Sequence, residues 1–121
     1  MRKLLLSSGL VALLVFGGLP AQGHSQLVSA SPRPGQVLNS SPANIKISFN
    51  EDLIDLGQLS NVITLQNSAG RNLKTSQTLV QGPNVSIELI RKLKPGRYVV
   101  RWKVVSADGH PIAGRYSFSV R

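Results

Sequence analysis

The two histidines of the chain lie where their side chains could bind a metal ion. His24 follows Ala21 and Gly23, a pair of small residues of the kind that precedes a signal-peptidase cut. Cleavage before His24 would leave a free amine beside its imidazole, which gives two nitrogen ligands on one residue. His110 lies two residues after Asp108 in a polar turn. The sequence therefore predicts a four-ligand metal site made of His24, Asp108 and His110.

The predicted ligand set favours one metal ion per chain, and that ion is Cu(II). Three nitrogens and one oxygen suit the tetragonal geometry of Cu(II), which also heads the affinity series of the divalent first-row metals. Zn(II) could use the same atoms only if they rearranged into a tetrahedron. The chain has no cysteine and only Met1 as methionine, so the region after the leader lacks the sulfur ligands that favour Cu(I). Both nitrogen types bind only when deprotonated, so affinity should fall on acidification.

Each part of this site also has an ordinary structural explanation. Asp108 to Pro111 is a polar run that commonly forms a hairpin turn, with the Asp side chain accepting backbone N–H bonds. A histidine directly after a signal sequence can be there by chance. Only the combination of the two positions favours a metal site over these explanations.

Residues 1–23 are predicted to be a cleaved secretory signal. Arg2 and Lys3 supply the positive start, residues 4–19 supply the apolar run, and Pro20 ends it. An uncleaved signal anchor is the alternative, but the run is short and contains glycine and serine, which disfavours a membrane span. We therefore expect an exported single domain, residues 24–121, with no stable membrane insertion after cleavage.

The predicted mature domain is strongly basic. Its 98 residues carry 12 basic and 5 acidic side chains, a net charge of +7, and the basic residues are scattered apart from a loose cluster at 91–97. Such a charge often indicates nucleic-acid binding, but the export signal argues against nucleic acid here. A well-solvated surface is the simplest explanation, and attraction to an acidic partner or an anionic membrane is the weaker one. The net charge offers a cation no general attraction, so a cation site would depend on its own ligands.

Alternation of apolar and polar residues predicts β-strands. It occurs at 45–50, 84–89, 98–104 and 115–120, with shorter strand-like segments at 62–65 and 78–80. With the turn signals between them, these segments predict an all-β fold. We expect a small antiparallel Greek-key β-sandwich of the immunoglobulin-like or cupredoxin-like type, with about seven strands. A closed barrel is the alternative.

Two local features add to the fold prediction. Residues 93–98 (LKPGRY) are typical of a tyrosine corner, in which a tyrosine hydroxyl bonds back to nearby backbone; a plain Pro-Gly turn before a core tyrosine is the alternative. Residues 52–59 are apolar at helical spacing and predict one short turn of helix.

The mature chain resembles the CopC family of copper-resistance proteins over nearly its full length. The resemblance begins at His24 and continues through 27–32 (LVSASP), Gly35 and 45–51 (IKISFNE). It then includes the 93–98 run, 114–120 (GRYSFSV) and the most specific stretch, 100–111 (VRWKVVSADGHP).

The resemblance implies a periplasmic, non-enzymatic β-sandwich that serves copper homeostasis as a buffer or carrier and acts as a monomer. It implies Cu(II) binding through a histidine brace at His24, together with Asp108 and His110. It also makes an inner-membrane copper importer of the CopD type a candidate partner. The chain departs from the family in lacking a methionine-rich Cu(I) loop, and Gln26 stands where many relatives have a second histidine.

Two other functions compete with a copper carrier. Histidine braces also occur in copper oxidoreductases that cleave polysaccharides, but those expose a flat aromatic face, and the aromatic residues here fall mostly on predicted core faces. A carboxylate ligand would also fill the open position that oxygen chemistry requires. The third candidate is a structural sandwich module with incidental histidines, which would bind no copper.

Overall fold

The structure is a computed structural model that describes residues 26–57 and 59–121. This part of the chain contains eight strands and no helix, so it has no helix long and apolar enough to cross a bilayer. The strands are β1 (Leu27–Ser31), β2 (Val37–Leu38), β3 (Asn44–Phe49), β4 (Val62–Gln66), β5 (Leu79–Gln81), β6 (Asn84–Glu88), β7 (Gly96–Val105) and β8 (Pro111–Val120). The predicted signal, residues 1–23, and His24 lie outside the described residues.

The strands form two four-stranded sheets. The first sheet has the order β1-β3-β6-β5, and the second has the order β2-β8-β7-β4. Neighbouring strands are antiparallel except for the short β2, which pairs parallel to β8. The predicted β-sandwich is therefore confirmed, with one parallel pair that the sequence did not indicate.

Alternation along the central strands explains the core between the sheets. Buried residues alternate with exposed or half-buried ones along β3, β6, the first half of β7 and the second half of β8. The fully or almost fully buried side chains of this core come from both sheets: Ile45, Ile47, Leu65, Val85, Ile87, Val100, Val104 and Phe118. Since the described chain has no disulfide, this apolar packing carries most of the stability.

The structure differs from the sequence prediction at β1, β2 and residues 52–59. The period of β1 is broken by a register shift between Leu27 and Ser29, and β2 has only two residues, so neither strand showed a clear alternation. The predicted helical turn at 52–59 is wrong for the described residues of that segment. The Leu53 N–H donates to the Gly82 carbonyl and the Ile54 N–H to the Val105 carbonyl, both at 3.0 Å, which attaches the segment to other parts of the chain. The Leu56 N–H, which a helix would direct to the Asp52 carbonyl, donates instead to the Ser60 hydroxyl at 3.0 Å.

The tyrosine corner is confirmed. The Tyr98 hydroxyl donates to the carbonyl of Lys94 at 2.6 Å, four residues earlier. Its ring is stacked against Phe118 on β8, with 5.7 Å between the ring centroids. The corner thus fixes the entry of the chain into β7 at the end of the sandwich opposite the β7–β8 turn.

Gly114 allows the single tryptophan to cover the core near the middle of β8. Gly114 pairs directly with Trp102 on β7. A Cβ on Gly114 would lie 2.1 Å from the Cζ2 atom of the indole, far inside van der Waals contact. The absence of a side chain at Gly114 is therefore what lets Trp102 lie across the strand.

We expect Gly114→Ala to lower the free energy of unfolding by about 2 kcal/mol, because the indole must move or the strands must separate. Chemical denaturation followed by circular dichroism measures this loss. In a Trp102→Phe background the smaller ring leaves room, so the same substitution should cost less than half as much. An equal cost in both backgrounds would show that the clash with the indole is not the cause.

Candidate metal-binding site

The turn between β7 and β8, residues 106–110, is closed by its own backbone. The Ser106 N–H donates to the His110 carbonyl and the Gly109 N–H donates to the Ser106 carbonyl, both at 2.9 Å. Gly109 has a φ of 85°, in the left-handed region that glycine tolerates best. Two ten-residue strands hold the turn, with Val105 paired directly to Pro111. The turn is therefore a fixed platform at one end of the sandwich.

The structure brings Asp108 and His110 together, as the spacing predicted. The Oδ2 atom of Asp108 lies 3.0 Å from Nδ1 of His110, and Oδ1 accepts the His110 backbone N–H at 3.1 Å. Oδ1 also accepts a hydrogen bond from the hydroxyl of Ser106. The carboxylate is thus fixed by three contacts within five residues of chain.

These contacts stabilise the charged form of the carboxylate. The hydrogen bond from Ser106, followed by that from His110, holds the pKa of Asp108 well below its usual value. A hydrogen bond to the ionised form favours ionisation, so Asp108 remains an anionic oxygen donor at any pH near neutrality. It is therefore in the correct state to bind a cation.

The geometry of the pair fits a shared metal ion. Two neighbouring ligands that each lie about 2.0–2.1 Å from a metal in a square arrangement are about 2.9 Å apart. The Nδ1 and Oδ2 atoms are 3.0 Å apart, and the side chain of His110 is 67% exposed. Within the described residues, no group of three or more His, Cys, Asp or Glu side chains could hold a metal. Further ligands would have to come from outside those residues.

The topology directs the start of the described chain toward this turn. Leu27 at the beginning of β1 pairs with Phe49 at the end of β3, and Gln26 exchanges two hydrogen bonds with Asn50 at 2.7 and 3.0 Å. Four residues further on, the Ile54 N–H bonds to the carbonyl of Val105, next to the turn. Gln26 therefore lies at the same end of the sandwich as Asp108 and His110.

Asn61 joins this arrangement from inside. Its side chain is almost completely buried, at 3% exposure. Its Nδ2 donates to the Ile54 carbonyl at 2.8 Å, and its Oδ1 accepts the Val105 N–H at 2.9 Å. One amide group thus holds the end of β7 to the segment that follows β3.

Four of the five carboxylates of the chain lie at this end. Asp108 is on the turn, and the other three, Glu51, Asp52 and Asp55, are on the segment that Asn61 and Ile54 attach to Val105. The sequence-based expectation that charge gives a cation no attraction thus holds for the molecule as a whole but not for this end. Local negative charge there favours the approach of a cation.

A family model for the CopC domain matches residues 27–121, which is most of the chain. The chain belongs to the CopC family. Copper transport protein CutJ of Bacillus subtilis is 33% identical to it over 114 residues, which are 92% of this chain but 20% of that protein. Copper resistance protein C of Pseudomonas syringae pathovar tomato is 31% identical over 106 residues, 84% of this chain and 83% of that protein. The CopC match thus spans about a fifth of the length of the Bacillus relative.

Solved structures of the family have the same fold. CopC from Methylosinus trichosporium OB3b matches with a TM-score of 0.71 and 29% identity, over 80% of this chain and 93% of that one. PcoC of Escherichia coli, described as a methionine-rich copper resistance protein, matches with a TM-score of 0.68 and 25% identity, over 81% and 99%. The CopC-like chain described here has no methionine after Met1, so it differs from PcoC in that respect.

Ser106 and Asn61 belong to this end of the sandwich without having been predicted from the sequence. Ser106 is fully buried, and its hydroxyl and backbone N–H both lie within hydrogen-bond distance of other residues of the turn. A serine two residues before Asp-x-His at the end of a long strand was the available signal for it. Asn61 gave no local signal, because its partner Val105 is 44 residues away in the sequence.

We expect Asn61→Ala to lower the free energy of unfolding by about 3 kcal/mol. The substitution leaves the Val105 N–H and the Ile54 carbonyl without their buried partner, and each such loss costs roughly 1–3 kcal/mol. Urea denaturation measures the effect. Asn72→Ala, which removes an exposed amide that bonds Gln66 at 3.0 Å, is the matched control and should cost under about 0.5 kcal/mol. Similar losses in both variants would show that Asn61 is not the buried link described above.

Proposed function

We propose that this protein is a non-enzymatic copper carrier or buffer that holds one Cu(II) ion per chain. The proposed ligands are the amine and ring nitrogen of His24, the carboxylate of Asp108 and the imidazole of His110. The predicted signal at residues 1–23 supports export to the periplasm. There, a monomeric carrier could supply an inner-membrane importer of the CopD type. Membership of the CopC family supports copper as the cargo.

One observation carries the proposal, namely the contact between Asp108 and His110 on a rigid turn. That turn lies at the end where the described chain begins. Two residues of extended chain reach about 7 Å, and this is the span available to His24 beyond Gln26. An N-terminal amine and imidazole supplied there would complete three nitrogens and one oxygen, which suits Cu(II).

The turn also supports a carrier rather than an enzyme. Asp108 is held in its ionised form by Ser106 and His110, so in this proposal it occupies a coordination position permanently. Oxygen chemistry at copper needs an open position for the reactant. A filled position favours holding and release of the ion.

Binding should depend on the N-terminal amine. We expect the chain that begins at His24, which contains all eight described strands, to bind one Cu(II). One added residue before His24 should weaken binding roughly a hundredfold or more, because the chelating amine is displaced. Titration against a competing chelator measures affinity, and electron paramagnetic resonance reports the nitrogen ligands.

Single substitutions separate the remaining ligands. His110→Ala should weaken Cu(II) binding roughly a hundredfold or more, whereas Gln26→Ala, the control near the N-terminus, should change it less than about threefold. Equal binding by the extended and native chains would refute the brace. Absence of any tight Cu(II) site would favour a structural module instead.

The pH dependence should come from the nitrogen ligands alone. Because hydrogen bonds lower the pKa of Asp108, its carboxylate stays charged from about pH 5 to 7 and takes up no proton as copper affinity falls. We expect the Cu(II) dissociation constant to rise about tenfold or more for each pH unit below about pH 6. Competitive titration at several pH values measures the slope.

Asp108→Asn provides the control for this slope. The variant should bind more weakly at every pH but with the same dependence on pH, since the carboxylate takes up no proton in this range. A slope that becomes shallower by one proton in the variant would show that Asp108 does titrate and would contradict the proposed protonation state.

A further inference from the structure

The outer face of the second sheet carries a group of four cations. Tyr98, Val100 and Val104 of β7 are buried, so the residues between them point to solvent. The cations of this face are Arg97, Arg101 and Lys103 on β7 and Arg115 on β8, and all four are exposed. We call this set the basic sheet face.

Strand register places these cations close together. Arg101 is paired directly with Arg115, and Lys103 is paired with Ala113, two residues before Arg115. Like charges opposite each other destabilise an antiparallel pair. The fold itself does not require two arginines to face each other on an exposed surface. An acidic residue at either position would remove the repulsion between them.

Within the part of the chain that the structure describes, no carboxylate forms an ion pair with the basic sheet face. Four of the five acidic residues lie at the end that holds the β7–β8 turn, and the fifth, Glu88, is on β6 of the other sheet. Within the described residues, the polar contacts of the face join cations to neutral groups: Arg97 donates to Ser117 at 3.3 Å, and Arg101 donates to Gln66 at 2.9 Å. Its positive charges therefore remain available to an anionic partner.

We propose that the basic sheet face docks on the surface of an anionic lipid bilayer. Arg97 to Lys103 spans about 20 Å of strand, and the side chains between the cations are small or uncharged, such as Val99 and Ser117. A broad face of this kind suits a layer of mobile anionic headgroups that can move to each cation. The paired part of the β7–β8 hairpin would then lie along the membrane, and the turn at residues 106–110, at the acidic end of the sandwich, would lie at the edge of the contact.

A second basic region lies at the opposite end from the turn, but its shape differs. It is a cavity of about 530 Å³ with apolar residues such as Leu73 and Leu89 in its wall. Its cations, Lys74, Arg91, Lys92 and Lys94, line this concave space. The basic sheet face has a smaller concavity, about 300 Å³ beside Arg97 and Arg115. The larger cavity fits a flat bilayer less well, so this region serves as the comparison and not as the proposed surface.

The test uses copper-free protein beginning at His24, so that no leader contributes to membrane binding. Co-sedimentation with phosphatidylcholine vesicles, with and without phosphatidylglycerol, measures partitioning at low and physiological salt. We expect binding only to the anionic vesicles, with a loss at higher salt. Each cation near the surface is worth about fivefold in partitioning, so Arg101→Gln with Arg115→Gln should reduce it about thirtyfold.

Lys92→Gln with Lys94→Gln is the matched control, since it removes the same charge from the cavity. It should reduce partitioning less than about threefold. Equal losses in the two double variants would show that net charge alone drives binding, and a larger loss in the control would move the site to the cavity. Binding to polyglutamate but not to anionic vesicles would identify an acidic polypeptide partner and overturn the proposal.

Copper titration of the arginine double variant keeps this proposal separate from the proposed function. The variant should bind Cu(II) as the parent chain does, because neither arginine contacts Asp108 or His110. Vesicle binding requires no copper, so either proposal can fail while the other holds. A circular dichroism spectrum unchanged from that of the parent shows that the sandwich is intact.

Discussion

The arrangement of the site depends on the hydrogen bonds at Val105. The N–H of this residue donates to the buried amide of Asn61, and its carbonyl accepts from Ile54. These bonds join the end of β7 to the segment that leaves β3, where β1 also begins. Without them, the β7–β8 turn and the start of the described chain would belong to two sheets whose main contact is apolar packing, which is not directional. The hydrogen bonds at Val105 therefore determine that the β7–β8 turn and the start of the described chain lie at the same end.

In the proposed function, little in the turn would have to change when a cation binds. Ser106 is buried within it and fixes one oxygen of Asp108, while His110 lies against the other. The energetic cost of ordering these groups is met during folding and not during binding. The same hydrogen bonds keep Asp108 ionised, so stable geometry and the correct charge state have a single cause.

Sequence reasoning succeeded where a property is local. Alternation predicted β3, β6, β7 and β8, and the two-residue spacing predicted that Asp108 and His110 would meet. It failed at residues 52–59, because their helical spacing competes with long-range backbone hydrogen bonds that the sequence does not display. It also missed Asn61, whose partner is distant in the chain, and the parallel pairing of the two-residue β2. The prediction for His24 remains a prediction, since that residue lies outside the described chain.

The distribution of charge follows from the same alternation that forms the core. A period of two places Arg97, Arg101 and Lys103 on one face of β7 because the residues between them must be buried. The carboxylates are concentrated in loops at one end instead, where backbone and side-chain donors hold Asp108. The net charge of the whole chain does not show this separation, because the acidic residues are few but lie close together. The chain can therefore attract a cation at one end while it presents an unneutralised basic face along its side.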